Sequence, residues 1–204
     1  MTQDAYPFLG HPPAPGAPLV FAFHGTGGDE TQFFGAVRQM LPAAGVIAPR
    51  GDVSEHGANR FFRRTERGYD MADLALRTAK MAGFVQAHRA AHPGSPAVGL
   101  GYSNGANILA AVILQAPGLF DRAVLMHPLV PWRPAPDPGL AGLDLLITAG
   151  MNDPICPWPL SSALIEFFQA QGSRVGTSIH PGGHAVTDSE WRDIEAFLRR
   201  PDGA

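Results

Sequence analysis

Short runs of consecutive apolar residues alternate along this chain with longer stretches in which apolar residues recur every three or four positions. The uninterrupted runs are Leu19-Val20-Phe21-Ala22-Phe23, Val46-Ile47-Ala48, Pro96-Ala97-Val98-Gly99-Leu100, Ala123-Val124-Leu125-Met126, Leu143 to Ala149, and Val175 to Ile179. A run without polar interruption marks a strand buried on both faces. The stretches between them read as helices. Asp29 fits the N-cap of one that runs to about Leu41, with Phe33, Phe34, Val37 and Leu41 on one side. Others run from Asp70 to Ala91, Ala106 to Gln115, Leu160 to Gln171 and Asp188 to Arg199. Strand and helix in alternation predict an α/β fold: a mostly parallel sheet of about six or seven strands with helices on both faces.

Three segments fall outside this alternation. Residues 1–17 are rich in Pro and Gly and are expected to form an irregular arm. Residues 50–69 form a long loop carrying Arg50, Arg60, Arg63, Arg64 and Arg67, with the adjacent pair Phe61-Phe62 arguing for order. Residues 128–142 are Pro-rich, contain Trp132, and read as a loop or small cap, with no room for a large lid.

In a parallel sheet, ligands bind beyond the carboxyl ends of the strands. His24, Ser103, Asp153 and His184 each fall at or just after such an end, on one rim. Ser103 lies in Gly101-Tyr102-Ser103-Asn104-Gly105, between a strand and a helix. Strand, G-x-S-x-G, helix is the context of a nucleophile elbow, in which a sharp turn lifts the hydroxyl clear of the sheet. Glycine flanks the serine because a Cβ there would press on the neighbouring strand and helix. The plainer account of Ser103 is a helix N-cap.

A serine hydroxyl is a poor nucleophile near neutral pH and needs a base, which in turn needs a group to orient it. His184, in the glycine-rich Pro181-Gly182-Gly183-His184, suits the base, and Asp153 suits the orienter. Taken singly, Asp153 before Pro154 reads as a turn residue and His184 as a surface histidine. Three such residues on one rim favour catalysis. A tetrahedral oxyanion needs at least two N–H donors. Asn104 follows the nucleophile, and Thr26 lies in the turn His24-Gly25-Thr26-Gly27-Gly28 after the first strand, so their amides are the candidate oxyanion hole. A phosphate loop is disfavoured there, because no Lys-Ser/Thr follows.

The bulk numbers narrow the setting. At 204 residues the chain suits one domain. With 45% hydrophobic and 16% charged residues it is globular, and a net charge of −3 provides no field for nucleic acid. Cys156 is the single cysteine, so no intrachain disulfide can form. There is no secretory signal at the N-terminus and no apolar run near the roughly 20 residues that span a bilayer, so a soluble cytoplasmic protein is expected. His56, His88 and His92 lack metal-binding spacing, and no metal is expected.

In combination these segments resemble the phospholipase/carboxylesterase family of serine α/β-hydrolases, which includes acyl-protein thioesterases and bacterial carboxylesterases, with dienelactone hydrolases as near relatives. The resemblance is carried by Phe23 to Glu30, Ala48-Pro49-Arg50-Gly51, Arg60-Phe61-Phe62-Arg63-Arg64, Gly101 to Asn107, Gly150-Met151-Asn152-Asp153-Pro154-Ile155 and Gly183-His184. The segment Arg60 to Arg64 is similar to the bacterial carboxylesterase subgroup in particular. Nucleophile, orienter and base follow the chain order of that fold, Ser103, Asp153, His184. The resemblance implies those roles, oxyanion donors at Thr26 and Asn104, a small-molecule ester as substrate, and no cofactor. Ser103 stands where dienelactone hydrolases have a cysteine, which argues against their substrate. Cys156 stands where an aliphatic residue is expected, and a small buried apolar role suits it.

The substrate-pocket candidates are His24, Arg60, Phe61, Arg63, Trp132 and Ile155. Arg60, Arg63 or Arg64 could line an entrance that favours acidic esters, but pairing with Glu66, Asp70 and Asp73 or with loop carbonyls is the simpler account. His24 suits a buried brace of its turn better than a pocket wall. Trp132, Trp158 and Phe61 could form an acyl pocket, and core packing explains them as well. The expected activity is carboxylic ester hydrolysis through an acyl-serine. The alternatives are a thioesterase or lysophospholipase acting on long acyl chains, and a non-catalytic binding module on the same fold. A homodimer is left open.

Overall fold

The computed structural model describes residues 2–66 and 68–200. In chain order the strands are β1 (Phe8–His11), β2 (Leu19–Phe23), β3 (Gly45–Pro49), β4 (Val53–Glu55), β5 (Ala58–Arg60), β6 (Arg64–Thr65), β7 (Gly68–Tyr69), β8 (Ala97–Tyr102), β9 (Arg122–Met126), β10 (Asp144–Gly150) and β11 (Arg174–His180). The helices are α1 (Phe34–Met40), α2 (Met71–Ala91), α3 (Asn104–Gln115), α4 (Trp158–Ala170) and α5 (Asp188–Leu198).

Seven strands form one sheet in the order β1-β3-β2-β8-β9-β10-β11, parallel except for the β1–β3 pair. The α/β reading of the sequence holds. Apolar runs are continuous because successive residues serve opposite faces. Leu19, Phe21 and Phe23 of β2 join the layer formed with α2, α3 and α4, while Val20 and Ala22 join the layer formed with α1 and α5. From β2 the chain first moves outward to β3, then returns past β2 to β8 and proceeds the other way. The order therefore reverses between β2 and β8, the switch point at whose carboxyl ends such sheets place a ligand crevice. The His24–Gly28 turn and the elbow flank it.

Three expectations need correction. Residues 1–17 are not wholly irregular, because Phe8–His11 pairs antiparallel with β3 and Tyr6, 2% exposed, sits edge-on against Phe84. The first helix begins at Phe34, not at Asp29. Asp29 instead accepts from the amide and hydroxyl of Thr31, and Gln32 accepts from the Gly25 amide, so both are engaged in the glycine turn. Residues 50–69 are not simply a loop: β4–β5 and β6–β7 are small antiparallel hairpins. The first turns on His56-Gly57, both with positive φ (52° and 84°), as a tight hairpin requires. Phe61 and Phe62 are fully buried between the hairpins, and Arg67 lies outside the described residues. The segment 128–142 is a loop ending in a short 3-10 turn at Pro138–Leu140. Among the described residues no helix is long and apolar enough to cross a membrane.

Candidate active site

The elbow is formed where β8 meets α3. Ser103 has φ 50° and ψ −117°, a conformation that L-residues rarely adopt. Its amide bonds the Met126 carbonyl at 2.9 Å, and its carbonyl receives the Asn107 amide at 2.9 Å, which starts the helix. A Cβ on Gly101 would lie 2.6 Å from the Gly105 carbonyl oxygen, and one on Gly105 would strike the Phe23 carbonyl. Ser103 occupies the N-cap position, but its hydroxyl makes no capping bond. It lies 2.9 Å from His184 Nε2 instead.

His184 Nδ1 lies 2.7 Å from Asp153 Oδ2, which completes a Ser–His–Asp chain. The loops that carry the last two residues are joined along their backbones. Met151 N donates to His180 O and Asn152 N to Gly182 O, at 2.8 and 3.0 Å. Gly150 permits this, because a Cβ there would collide with the Gly183 carbonyl. Tyr102 of β8 donates its hydroxyl to the His184 carbonyl at 2.9 Å. Asp153 is 5% exposed, and its Oδ1 accepts the amides of Ile155 and Cys156 at 2.8 and 2.9 Å. Burial opposes its ionisation, but those amides and the two histidines beside it outweigh burial and hold its pKa below the usual carboxylate range.

The second of those histidines, His127, is absent from the sequence reading, as is its other partner, Glu190. His127 Nδ1 lies 3.1 Å from Asp153 Oδ2 and Nε2 lies 2.9 Å from Glu190 Oε1. Two signals point to them. His127 immediately follows the apolar run of β9, which places it on the same rim as the other four residues. Thr187-x-x-Glu190 is a capping box, and Glu190 closes it from the first turn of α5. Glu190 is fully buried. Burial would raise its pKa, yet hydrogen bonds from His127 and the Thr187 amide bring it down to about 2.

On the other side of the crevice, three amides of the glycine turn are engaged: Gly25 N to Gln32 Oε1, Gly27 N to Asn59 O and Gly28 N to Gly25 O. The Thr26 amide has no acceptor within the turn among the described residues. The Asn104 amide, first in α3, is one that a helix leaves unpaired. The Asn104 side chain accepts the Phe61 amide at 2.8 Å and so joins the elbow to the hairpins.

The pocket candidates fare unevenly. His24, 1% exposed, braces its turn: Nδ1 bonds Gly25 O at 2.7 Å, and Nε2 receives the Gly51 amide at 2.9 Å. Burial lowers its pKa. Arg60 does not line an entrance. It is 3% exposed, pairs with Glu55 at 3.1 Å and donates to Thr26 Oγ1 at 2.9 Å, so it holds the glycine turn from behind. Phe61 is also interior, packed on the His24 ring at 4.6 Å. Arg63 is outward and pairs with Asp70 and Asp73, each at 3.4 Å, while Arg64 pairs with Glu55 at 3.4 Å. Ile155 is 55% exposed beside Asp153. Trp132 stands between two grooves of about 300 and 920 Å³ that flank the proline-rich loop, and neither is lined by Ser103, Asp153 or His184. Cys156 is buried and donates Sγ–H to the His127 carbonyl at 3.2 Å. Burial and the nearby Asp153 charge push its thiol up to about 12, which suits a structural residue. Donor atoms of His127, His180 and Glu190, and of His127, Asp153 and His184, converge within 4.8 Å. In both sets His127 already faces a carboxylate with each ring nitrogen.

Residues 15–151 match the model of a hydrolase family described as serine aminopeptidase, S33. Over 175 residues the chain is 34% identical to MhqD of Bacillus subtilis, a protein named as a hydrolase, with 84% of this chain and 88% of that one covered. Among solved structures it is similar to Atu2452 of Agrobacterium tumefaciens, a protein of unknown function, at 50% identity and a TM-score of 0.91, covering 97% of this chain and 98% of that one. It is similar also to the Bacillus cereus carboxylesterase, at 31% identity and a TM-score of 0.86, covering 95% of this chain and 93% of that one. The chain belongs to the serine α/β-hydrolases, among their carboxylesterase-like members.

Proposed function

We propose that this protein hydrolyses carboxylic esters through an acyl-serine intermediate, with Ser103 as nucleophile, His184 as base and acid, and Asp153 as the group that orients His184. The observation that carries this reading is the continuous hydrogen-bonded chain from Ser103 Oγ to Asp153 Oδ2, with steps of 2.9 and 2.7 Å.

Ser103 Oγ attacks the ester carbonyl while its proton passes to His184 Nε2. The tetrahedral oxyanion is received by the Thr26 and Asn104 amides. The intermediate collapses, the C–O bond to the alcohol breaks, and His184 returns the proton to the leaving oxygen. Water then repeats the sequence on the acyl-serine: His184 takes its proton, hydroxide adds to the carbonyl, and Ser103 leaves with that proton as the acid is released. Asp153 accepts the Nδ1–H throughout and stabilises the imidazolium. Cys156 and the surface arginines have no part in it.

The apolar grooves beside Trp132 are not lined by Ser103, which favours short acyl chains over the long chains of a thioesterase or lysophospholipase. All the groups that acyl transfer needs are present, which disfavours a non-catalytic module. The test is steady-state hydrolysis of p-nitrophenyl esters from acetyl to decanoyl, with wild type and Ser103→Ala in parallel. Activity on the short esters that Ser103→Ala lowers by about 10³-fold or more is expected. Equal activity in the two proteins would overturn the mechanism, and a preference for decanoyl would overturn the short-chain assignment.

A further inference from the structure

His127 is fully buried at the end of β9, between the strand that ends in the elbow and the strand that ends at Asp153. The acyl-transfer steps do not use it. Its backbone is nevertheless held at φ 49°, which a residue with a side chain adopts only when its surroundings fix it. Here the His127 amide bonds the Thr148 carbonyl at 3.0 Å, and its carbonyl accepts from Cys156 Sγ at 3.2 Å.

Both ring nitrogens point at carboxylates. A neutral imidazole offers one donor and one acceptor, and an ionised carboxylate can only accept. A neutral ring would therefore set one nitrogen lone pair against a carboxylate lone pair, unless a carboxyl group carried the extra proton. Asp153 is badly placed to carry it, because its oxygens already receive the Ile155 and Cys156 amides and His184 Nδ1. At Glu190, Oε2 receives the Thr187 amide at 2.6 Å and the Thr187 hydroxyl at 3.0 Å, donors that favour the ionised carboxylate. The proton belongs on His127.

We propose that His127, held as an imidazolium between Asp153 and Glu190, is a positioning residue that fixes the Asp153 carboxylate on His184 and offsets its charge. The proposal rests on the acyl-serine reading and extends it. The three buried groups then carry one net negative charge instead of two. Asp153 still orients His184, but its pull on the His184 proton is weakened, so the base is free at lower pH. Glu190 acts at both ends: Oε1 holds His127, and Oε2 caps α5, which begins four residues after His184.

The titratable groups around His127 come from every neighbouring element. They are Asp153 and Cys156 after β10, Glu190 on α5, Tyr102 at the end of β8, His180 at the end of β11, and His184 beyond it. His180 Nε2 lies 3.2 Å from Glu190 Oε2 but off the hydrogen-bond direction. Burial works against a cation at His127, yet the bonds to Glu190 and Asp153 prevail and its pKa is raised.

Two measurements decide the matter. In wild-type protein labelled with ¹⁵N-histidine at pH 7, where a free imidazole is mostly neutral, both ring nitrogens of His127 should be protonated; a neutral tautomer overturns the proposal. In the pH profile of kcat/KM on p-nitrophenyl acetate, His127→Gln should move the acidic limb about one pH unit upward. A purely structural role would lower activity without moving the limb. An unmoved limb in His127→Gln that still reacts with a fluorophosphonate at Ser103 overturns the positioning role and leaves the esterase reading intact. Absence of that label in wild type overturns the esterase reading, and with it the role of His127.

Discussion

His24 and His127 occupy the same rim of the sheet, each just past the end of a strand and each buried, at 1% and 0% exposure. Their surroundings treat them oppositely. His24 donates to a backbone carbonyl and accepts from a backbone amide, a pair of contacts that only one neutral tautomer satisfies. His127 faces a carboxylate on each side, and only the cation satisfies both. Burial disfavours a charge at both positions. What decides is whether the neighbours are peptide groups, which come as donor and acceptor, or carboxylates, which only accept. On the His24 side the histidine is thus a neutral brace of the glycine turn, and on the His127 side it joins a carboxylate network that, in the proposed mechanism, serves His184 as base.

The comparison breaks most visibly at Asp153. Asp153→Asn should lower kcat/KM by about 10³- to 10⁴-fold, since a neutral amide neither fixes the His184 tautomer nor stabilises its cation. A loss under tenfold in a folded variant would mean that the charged side is dispensable. Arg60→Lys comes next. It removes the guanidinium fork behind Thr26 and should cost about tenfold in kcat, with a lower Tm and an acidic limb that stays in place. The histidines themselves sharpen the contrast: His24→Gln should lower Tm by losing a buried brace, about 1–3 kcal/mol, without moving the limb that His127→Gln moves.

Stability should follow pH in the way the charged side dictates. The Glu190 carboxyl is depressed from 4.5 to about 2, so its contribution is complete above pH 4.5 and is lost as pH falls towards 2. Asp153, also depressed, has the same sign. His127 is raised, so its contribution is present below pH 6.5 and is lost as pH rises through its folded value, while that of the depressed His24 is lost as pH falls. Scanning Tm against pH should show a steep acid decline that Glu190→Gln flattens. The smallest effect is expected at the surface. Arg63→Ala and Arg64→Ala, which remove guanidinium groups about half exposed to solvent, should each cost under about 1 kcal/mol and leave the ratio of activities on neutral and anionic esters unchanged.

Features with a strict steric or periodic requirement were legible in the sequence. The elbow needs glycine at Gly101 and Gly105, the parallel strands need unbroken apolar runs, and the chain order of Ser103, Asp153 and His184 follows from strand ends. Other features depend on pairings remote in sequence. β1 is a four-residue edge strand with no fully buried position, set between Pro7 and Pro12, so no apolar alternation marks it. The hairpins between Val53 and Tyr69 have strands of two or three residues, too short for a pattern. His127 and Glu190 stand 63 residues apart and are joined only by the packing of α5 over the strand ends. Arg60 stayed open between an entrance and a loop pairing because nothing in the sequence shows that Thr26 and Glu55 enclose it.

Whether Ser103 is the nucleophile is tested most directly by reacting the folded protein with a fluorophosphonate and mapping the adduct by peptide mass. A single adduct on Ser103, absent from Ser103→Ala together with the esterase activity, is the expected result. No adduct on Ser103 in a protein that still hydrolyses esters would contradict it.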